Sequence, residues 1–227
     1  MTSARILLNE VTITLGVAPK EYHALKNINI DIKAGNRVGI IGPNGAGKST
    51  LLRAMGGIYP PTRGEINVNG FISGLFQLGL GMQQDQTGYD NIVLNALISG
   101  QPKRIIEEKI QSIIDFADLG EFINLPLRTY SQGMAMRLKF ACATGFSPEV
   151  LLLDEWLGAG DAEFQNKAKT RMKQLITDAH IVVLATHNVP LMKQICDKAL
   201  WLEKGQVIMF GDIDEVIKAR QLKQQNK

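Results

Sequence analysis

Four short segments of this 227-residue chain carry residue types that can handle phosphate or the ion and water beside it. The run Gly42-Pro43-Asn44-Gly45-Ala46-Gly47-Lys48-Ser49-Thr50 directly follows the apolar stretch Val38-Gly39-Ile40-Ile41. Glycines let a backbone curl until successive N–H groups face one centre, where phosphate oxygens fit. Lys48 can reach the β- and γ-phosphates, the Ser49 hydroxyl can bind Mg²⁺, and the helix that starts here adds its positive end. A plain glycine turn needs neither a lysine nor a following pair of hydroxyls. The segment reads as a nucleoside-triphosphate loop.

Two further strand ends supply acid and base groups. Val150-Leu151-Leu152-Leu153-Asp154-Glu155 reads as a buried strand ending in adjacent carboxylates. Strand neighbours point to opposite faces, so the two can divide the work. Asp154 can hold Mg²⁺ through water while Glu155 orients or deprotonates an attacking water. Ala185-Thr186-His187-Asn188 follows another apolar strand. Ligands collect where parallel strands end, and a contact from His187 to a γ-phosphate is expected there. Tyr130-Ser131-Gln132-Gly133-Met134 precedes a helical run over 135–143. A serine and a close glycine at a helix start make a second anion-binding end, although taken alone they describe a capping turn. One chain has no use for two γ-phosphate sites, but a dimer can use both.

The elements that must position these groups alternate along the chain. Residues 6–15 are apolar and β-branched, and Ile28, Ile30 and Ile32 alternate with polar residues as in a half-buried strand. A strand over 37–41 leads into a helix over about 47–55, and a short strand follows at 65–68. From about 87 to 146 the character turns helical, with Ile106, Ile110, Ile113, Ile114 and Ala117 at helical spacing. Strand–helix alternation then resumes: strands at 150–154 and 181–185, helices at about 161–177 and 189–195. Two strands at 199–203 and 206–210 and a last helix from 212 complete the chain. The expected fold is α/β with a mostly parallel sheet covered on both faces. It has an N-terminal antiparallel β part, and a single domain with its core in about 1–86 and 147–227 and a helical subdomain in about 87–146.

Composition narrows the functional classes. The net charge of +3 is mild and spread along the chain, which argues against sequence-independent nucleic-acid binding. Cys142 and Cys196 lie in apolar settings and read as buried, reduced thiols. Residues 66–84 carry no charge, yet four glycines and several Asn and Gln residues make the stretch too polar and broken to span a bilayer. A protein soluble by itself is expected.

Taken together, the order and spacing of these motifs resemble the ATP-binding subunits of ABC transporters over essentially the whole chain. Residues 42–50 are similar to their Walker A loop, 151–155 to their Walker B strand and 131–134 to their signature. Asp161 matches the acidic residue of the loop after Walker B, His187 the switch histidine, and Gln77 the glutamine of the loop that contacts the membrane subunit. The resemblance counts Glu155, His187, Lys48 and Gln77 as catalytic and Ser49, Gln77 and Asp154 as Mg²⁺-holding. It implies that 42–50, 131–134 and Asp161 hold ATP. The segments Gly74-Leu75-Phe76-Gln77-Leu78-Gly79-Leu80-Gly81-Met82, Thr87-Gly88-Tyr89-Asp90-Asn91, 154–164 and 201–205 are similar to the polysaccharide and O-antigen exporter branch. The usual Leu-Ser-Gly-Gly-Gln signature reads Tyr130-Ser131-Gln132-Gly133-Met134, with the serine and second glycine kept. The family's adenine-stacking aromatic would fall near Leu15; Tyr22 stands close by.

The resemblance implies an ATPase subunit that exports a lipid-linked cell-surface polysaccharide, with teichoic acid or capsule export as the alternative and a soluble non-transport ABC ATPase as a further one. It also implies a homodimer with ATP and Mg²⁺ shared between the copies. The implied partner is a multispanning permease in two copies, expected to handle the glycolipid cargo and to hold this subunit at the cytoplasmic face of the inner membrane. After Phe210 one helix and a polar tail remain, too little for an appended carbohydrate-binding domain, so glycan choice is expected to lie elsewhere.

Overall fold

The computed structural model describes residues 3–75, 78–79, 81–154 and 162–225, with the backbone alone for 162 and 163. In chain order it begins with β1 (Arg5–Leu15), β2 (Tyr22–Lys33), β3 (Arg37–Ile41), α1 (Lys48–Met55), β4 (Arg63–Asn69) and β5 (Ile72–Gly74). Helices α2 (Gly88–Ile98), α3 (Lys103–Ala117) and α4 (Gln132–Thr144) follow. The chain then alternates through β6 (Val150–Asp154), α5 (Ala162–Asp178), β7 (Ile181–Ala185) and α6 (Val189–Ile195). It closes with β8 (Lys198–Glu203), β9 (Gln206–Asp212) and α7 (Ile213–Gln225). Two compact units result: 1–76, 148–156 and 178–227 form the first, 77–147 and 157–177 the second.

Among the described residues of the first unit the strands form two sheets. One is antiparallel in the order β2-β1-β4, the other runs β5-β6-β7-β3-β8-β9 and is parallel except for the β8–β9 pair. Ile28, Ile30 and Ile32 alternate into the core, as their spacing predicts. In β1 the buried set runs Ile6, Leu8 and then Val11, Ile13, a change of parity. Glu10, at φ 52°, stands where the β1–β2 register shifts, and this extra residue keeps the apolar side chains facing inward. β3, β6 and β7 are buried almost throughout, the pattern of strands covered on both faces. α1 packs Leu51, Leu52 and Met55 into the same core, and Gly57 at φ 74° ends it.

β5 has no counterpart among the strands expected from the sequence, where residues 66–84 read as a glycine-broken stretch. Its three residues pair with Val150, Leu151 and Leu152 of β6, and the Leu75 N–H donates to the Leu152 carbonyl at 2.9 Å.

The second unit is helical. α2 starts with a reciprocal cap: Thr87 Oγ1 accepts from the Asp90 N–H, and Asp90 accepts from the Thr87 N–H. α3 buries Ile106, Ile113 and Ala117, and α4 buries Leu138, Phe140 and Cys142. The expected helical segment, 87–146, does not include the helix after β6, yet most of α5 belongs to this unit. The reason is aromatic: Phe116, Phe140 and Phe164 form a triangle with ring centroids 5.6–6.0 Å apart, and Phe164 is almost fully buried.

Candidate nucleotide-binding site

The glycine loop leaves the end of β3 and is wedged from behind. A Cβ on Gly42 would lie 2.1 Å from the Leu202 carbonyl oxygen of β8, so only glycine fits. Gly47, at φ 104°, rests against β2, where an added Cβ would meet the Ala24 oxygen at 2.8 Å. The Gly205 N–H donates to the Ala46 carbonyl (3.0 Å), and the Gly205 carbonyl accepts from the Lys26 N–H (2.8 Å). The β8–β9 turn and the start of β2 therefore hold the loop in place.

Inside the loop, Gly45 and Gly47 both take left-handed conformations, the alternation that turns backbone N–H groups toward a common anion. Lys48 Nζ crosses the mouth and donates to the carbonyls of Gly42 (3.0 Å) and Pro43 (3.1 Å). α1 begins at Gly47 with no side-chain cap and no acidic residue in its first turn. Its first N–H groups thus meet a phosphate without competition from a built-in acceptor.

Sheet register brings the other groups to the same edge. Ile40 of β3 pairs with Ala185 of β7, and Ala185 pairs with Asp154 of β6. Gly42 follows that rung by two residues on one strand, Thr186 and His187 follow it on the next, and Asp154 is on it. The Asn188 N–H donates to Thr186 Oγ1 (3.1 Å), and Asn188 Oδ1 accepts from the Leu191 N–H (3.0 Å), fixing the turn that presents an exposed His187. α1 packs against β6, so Ser49 and Asp154 come from adjacent elements. Hydroxyl and carboxylate are oxygen donors of the kind Mg²⁺ takes, one or two at a time, with phosphate and water completing its shell. The donor chemistry fits the ion.

Ser131 caps α4: its Oγ accepts from the Met134 N–H at 3.2 Å. Gln132 and Gly133 are exposed in the first turn. A Cβ on Gly133 would meet only Ser131 Oγ, at 3.9 Å. Among the described residues nothing requires glycine there. Tyr22 is 61% exposed, opposite Leu15 in the β1–β2 ladder and two residues before Ala24 at the glycine loop. Gln77, Glu155 and Asp161 lie outside the described residues. Both cysteines are free and buried, and burial pushes each thiol up to about 12.

Residues 25–158 match the family described as ABC transporter. The chain belongs to the ABC transporter family. It is 48% identical over 184 residues to the O-antigen export system ATP-binding protein RfbE of Yersinia enterocolitica, a match covering 81% of this chain and 77% of that protein. It is 40% identical over 199 residues to the teichoic acids export ATP-binding protein TagH of Shouchella clausii (strain KSM-K16), covering 88% of this chain and 55% of that one. The chain thus spans only about half of the second relative. Among solved structures, the dimeric post-hydrolysis state of the ATP-binding cassette MJ0796 bound to ADP and Pi matches with TM-score 0.69 and 25% identity. That match covers 92% of this chain and 98% of the cassette. Within the ABC transporter family this chain is the ATPase component, and among the described residues no helix is long and apolar enough to cross a membrane.

Two features of the fold have no signal of their own in the sequence. Leu202 and Gly205 brace the glycine loop from about 160 residues further along, a contact without local signature. Asn91, fully buried on α2, stands out only as the end of a segment similar to exporters.

Proposed function

We propose that this chain is the ATP-hydrolysing subunit of a transporter that exports a lipid-linked cell-surface polysaccharide, O-antigen-like, across the cytoplasmic membrane. The observation that carries the chemistry is the shared rung: Asp154, the turn to His187 and the glycine loop all leave one edge of a parallel sheet. The likeness to an O-antigen export ATP-binding protein supports the cargo class. The likeness to a teichoic acids export protein supports a second reading, another envelope glycopolymer.

Two copies act together. ATP lies between 42–50 of one copy and 131–134 of the other, with Tyr22 beside the adenine. The open side of Gly133 supports this arrangement, since a glycine with no internal steric duty leaves room for an outside group to approach the backbone. Loop N–H groups and Lys48 hold the phosphates, Ser49, Asp154 and Gln77 hold Mg²⁺, and Ser131 of the second copy faces the γ-phosphate. Bound Mg²⁺ neutralises phosphate charge. Glu155 orients and deprotonates the attacking water, His187 contacts the γ-phosphate and Asp161 completes the shared wall. The oxygen–phosphorus bond to water forms as the bond to ADP breaks, giving ADP and phosphate, and catalysis rests on positioning and charge stabilisation.

Binding closes the dimer, and hydrolysis with product release reopens it. The movement reaches a multispanning permease, present in two copies, which carries the glycolipid and keeps this subunit at the cytoplasmic face. Among the described residues, five of the nine large apolar side chains left exposed, Tyr89, Leu97, Ile98, Phe122 and Leu125, belong to the helical unit, which supports a partner there.

Glu155→Gln is the test. It is expected to give an ATP-bound dimer whose steady-state turnover is about 10²–10⁴-fold slower. Wild-type turnover in that variant would overturn the role of Glu155. A monomer hydrolysing at full rate would overturn the shared site. Co-purification from native membranes, with the bound multispanning protein identified, tests the export reading.

A further inference from the structure

Asn91 is fully buried on α2, and its side chain serves one loop. Nδ2 donates to the carbonyls of Gln83 (3.0 Å), Gln86 (3.2 Å) and Thr87 (2.9 Å), while Oδ1 accepts from the Gln83 N–H (2.8 Å). Both ends of the amide are thus satisfied. Moving the loop away would strand buried polar groups on each side without partners.

The same loop is stitched to the strip that leads into Ser131. The Leu127 N–H donates to the Gln86 carbonyl (2.9 Å), the Arg128 N–H to the Gln84 carbonyl (2.9 Å) and the Gly88 N–H to the Leu125 carbonyl (3.3 Å). Thr87 and Pro126 form an antiparallel bridge, and Arg128 pairs with Asp85 at 3.2 Å. A Cβ on Gly88 would lie 2.2 Å from the Tyr130 hydroxyl, which itself donates to the Phe122 carbonyl (2.7 Å). Tyr130 is followed directly by Ser131. Every one of these contacts lies within the helical unit.

We infer that Asn91 is a positioning residue that locks the loop 83–87 and the strip 125–130 into one clasp. A partner pressing on the loop and an ATP held at Ser131 then act on the same rigid piece. The inference rests on the shared ATP site proposed above and gives it a mechanical route: closure at the signature serine shifts the surface offered to a membrane subunit. Asn91 touches neither nucleotide nor reacting atoms.

Hydrogen–deuterium exchange on the Glu155→Gln protein, with and without Mg-ATP, tests it without a permease. ATP is expected to slow exchange at 131–136 and, by about fivefold, at 83–88. Adding Asn91→Ala leaves the slowing at 131–136 and removes it at 83–88. Protection at 131–136 with 83–88 unmoved in the Asn91 protein would overturn the clasp, and so would transmission that survives Asn91→Ala. If 131–136 is also unmoved by ATP, the shared site is what fails. The clasp is then decided without nucleotide: exchange must quicken at 83–88 and 125–130 together in Asn91→Ala, and quickening at 83–88 alone overturns it. Should Asn91→Ala not unfold cooperatively, Asn91→Ser is read the same way.

Discussion

Two helix starts in this molecule carry the proposed phosphate contacts, and they are built by opposite means. α1 opens from a glycine that offers no side-chain acceptor, and its loop is pressed against Leu202, Ala24 and Gly205. α4 opens from Ser131, which caps its own helix, and its glycine at 133 has open space around it. The first site is shaped by its own chain, with glycines where neighbouring backbone leaves no alternative. The second, in the dimer proposed above, is left open to the other copy's ATP. A glycine costs helix stability, about 0.5–1 kcal/mol relative to alanine, and among the described residues nothing offsets that at Gly133.

The comparison can be broken at either end. Lys48→Ala removes the ammonium group that lies across the loop mouth. ATP hydrolysis should fall by about 10²–10³-fold or more in a steady-state assay, with the fold intact by circular dichroism. Gly42→Ala drives a methyl group into the Leu202 carbonyl and should destabilise the first unit by about 1–3 kcal/mol or more in urea unfolding, since backbone on both sides resists movement. Gly133→Ala should do the reverse. Stability rises by about 0.5 kcal/mol while ATP turnover drops about tenfold, because the added methyl intrudes only on the second copy's nucleotide. Equal losses of stability at positions 42 and 133 would erase the contrast between the two helix starts. Ser131→Ala should cost about 1 kcal/mol through the lost cap, and turnover as well.

Each unit also carries its own reporter: Cys196 in the first, Cys142 on α4 in the second. With the thiols raised to about 12 by burial, the native protein holds almost no thiolate at pH 8 and should resist iodoacetamide by mass spectrometry until unfolded. A raised acid favours the folded state fully below its ordinary value of 9.0, and that contribution fades as pH climbs toward about 12. Gly42→Ala should quicken labelling at Cys196, and Gly133→Ala should leave both thiols protected.

Features written in local pattern are legible in the sequence alone. Alternating isoleucines in β2, apolar runs in β3, β6 and β7, and the glycine loop after a strand each announce themselves within ten residues. Features that depend on distant partners are not. β5 is three residues among glycines, and it exists because β6 offers it a ladder. Asn91 looks like any polar residue on a helix; only the folded loop shows four carbonyl and amide groups converging on it. The placement of α5 with the helical unit hangs on Phe164 finding Phe116 and Phe140, aromatic residues whose spacing carries no message until the chain is packed.

The bracing of the glycine loop by the β8–β9 turn bears on how the protein is made. Residues 42–50 emerge from the ribosome early, but Gly205, whose N–H anchors Ala46, emerges about 160 residues later. At a synthesis rate of roughly 5–20 residues per second, that gap is on the order of ten seconds or more. During that interval a nascent chain has the sequence of a nucleotide loop without its backing, and competence to hold ATP is expected to arrive only with the β8–β9 hairpin.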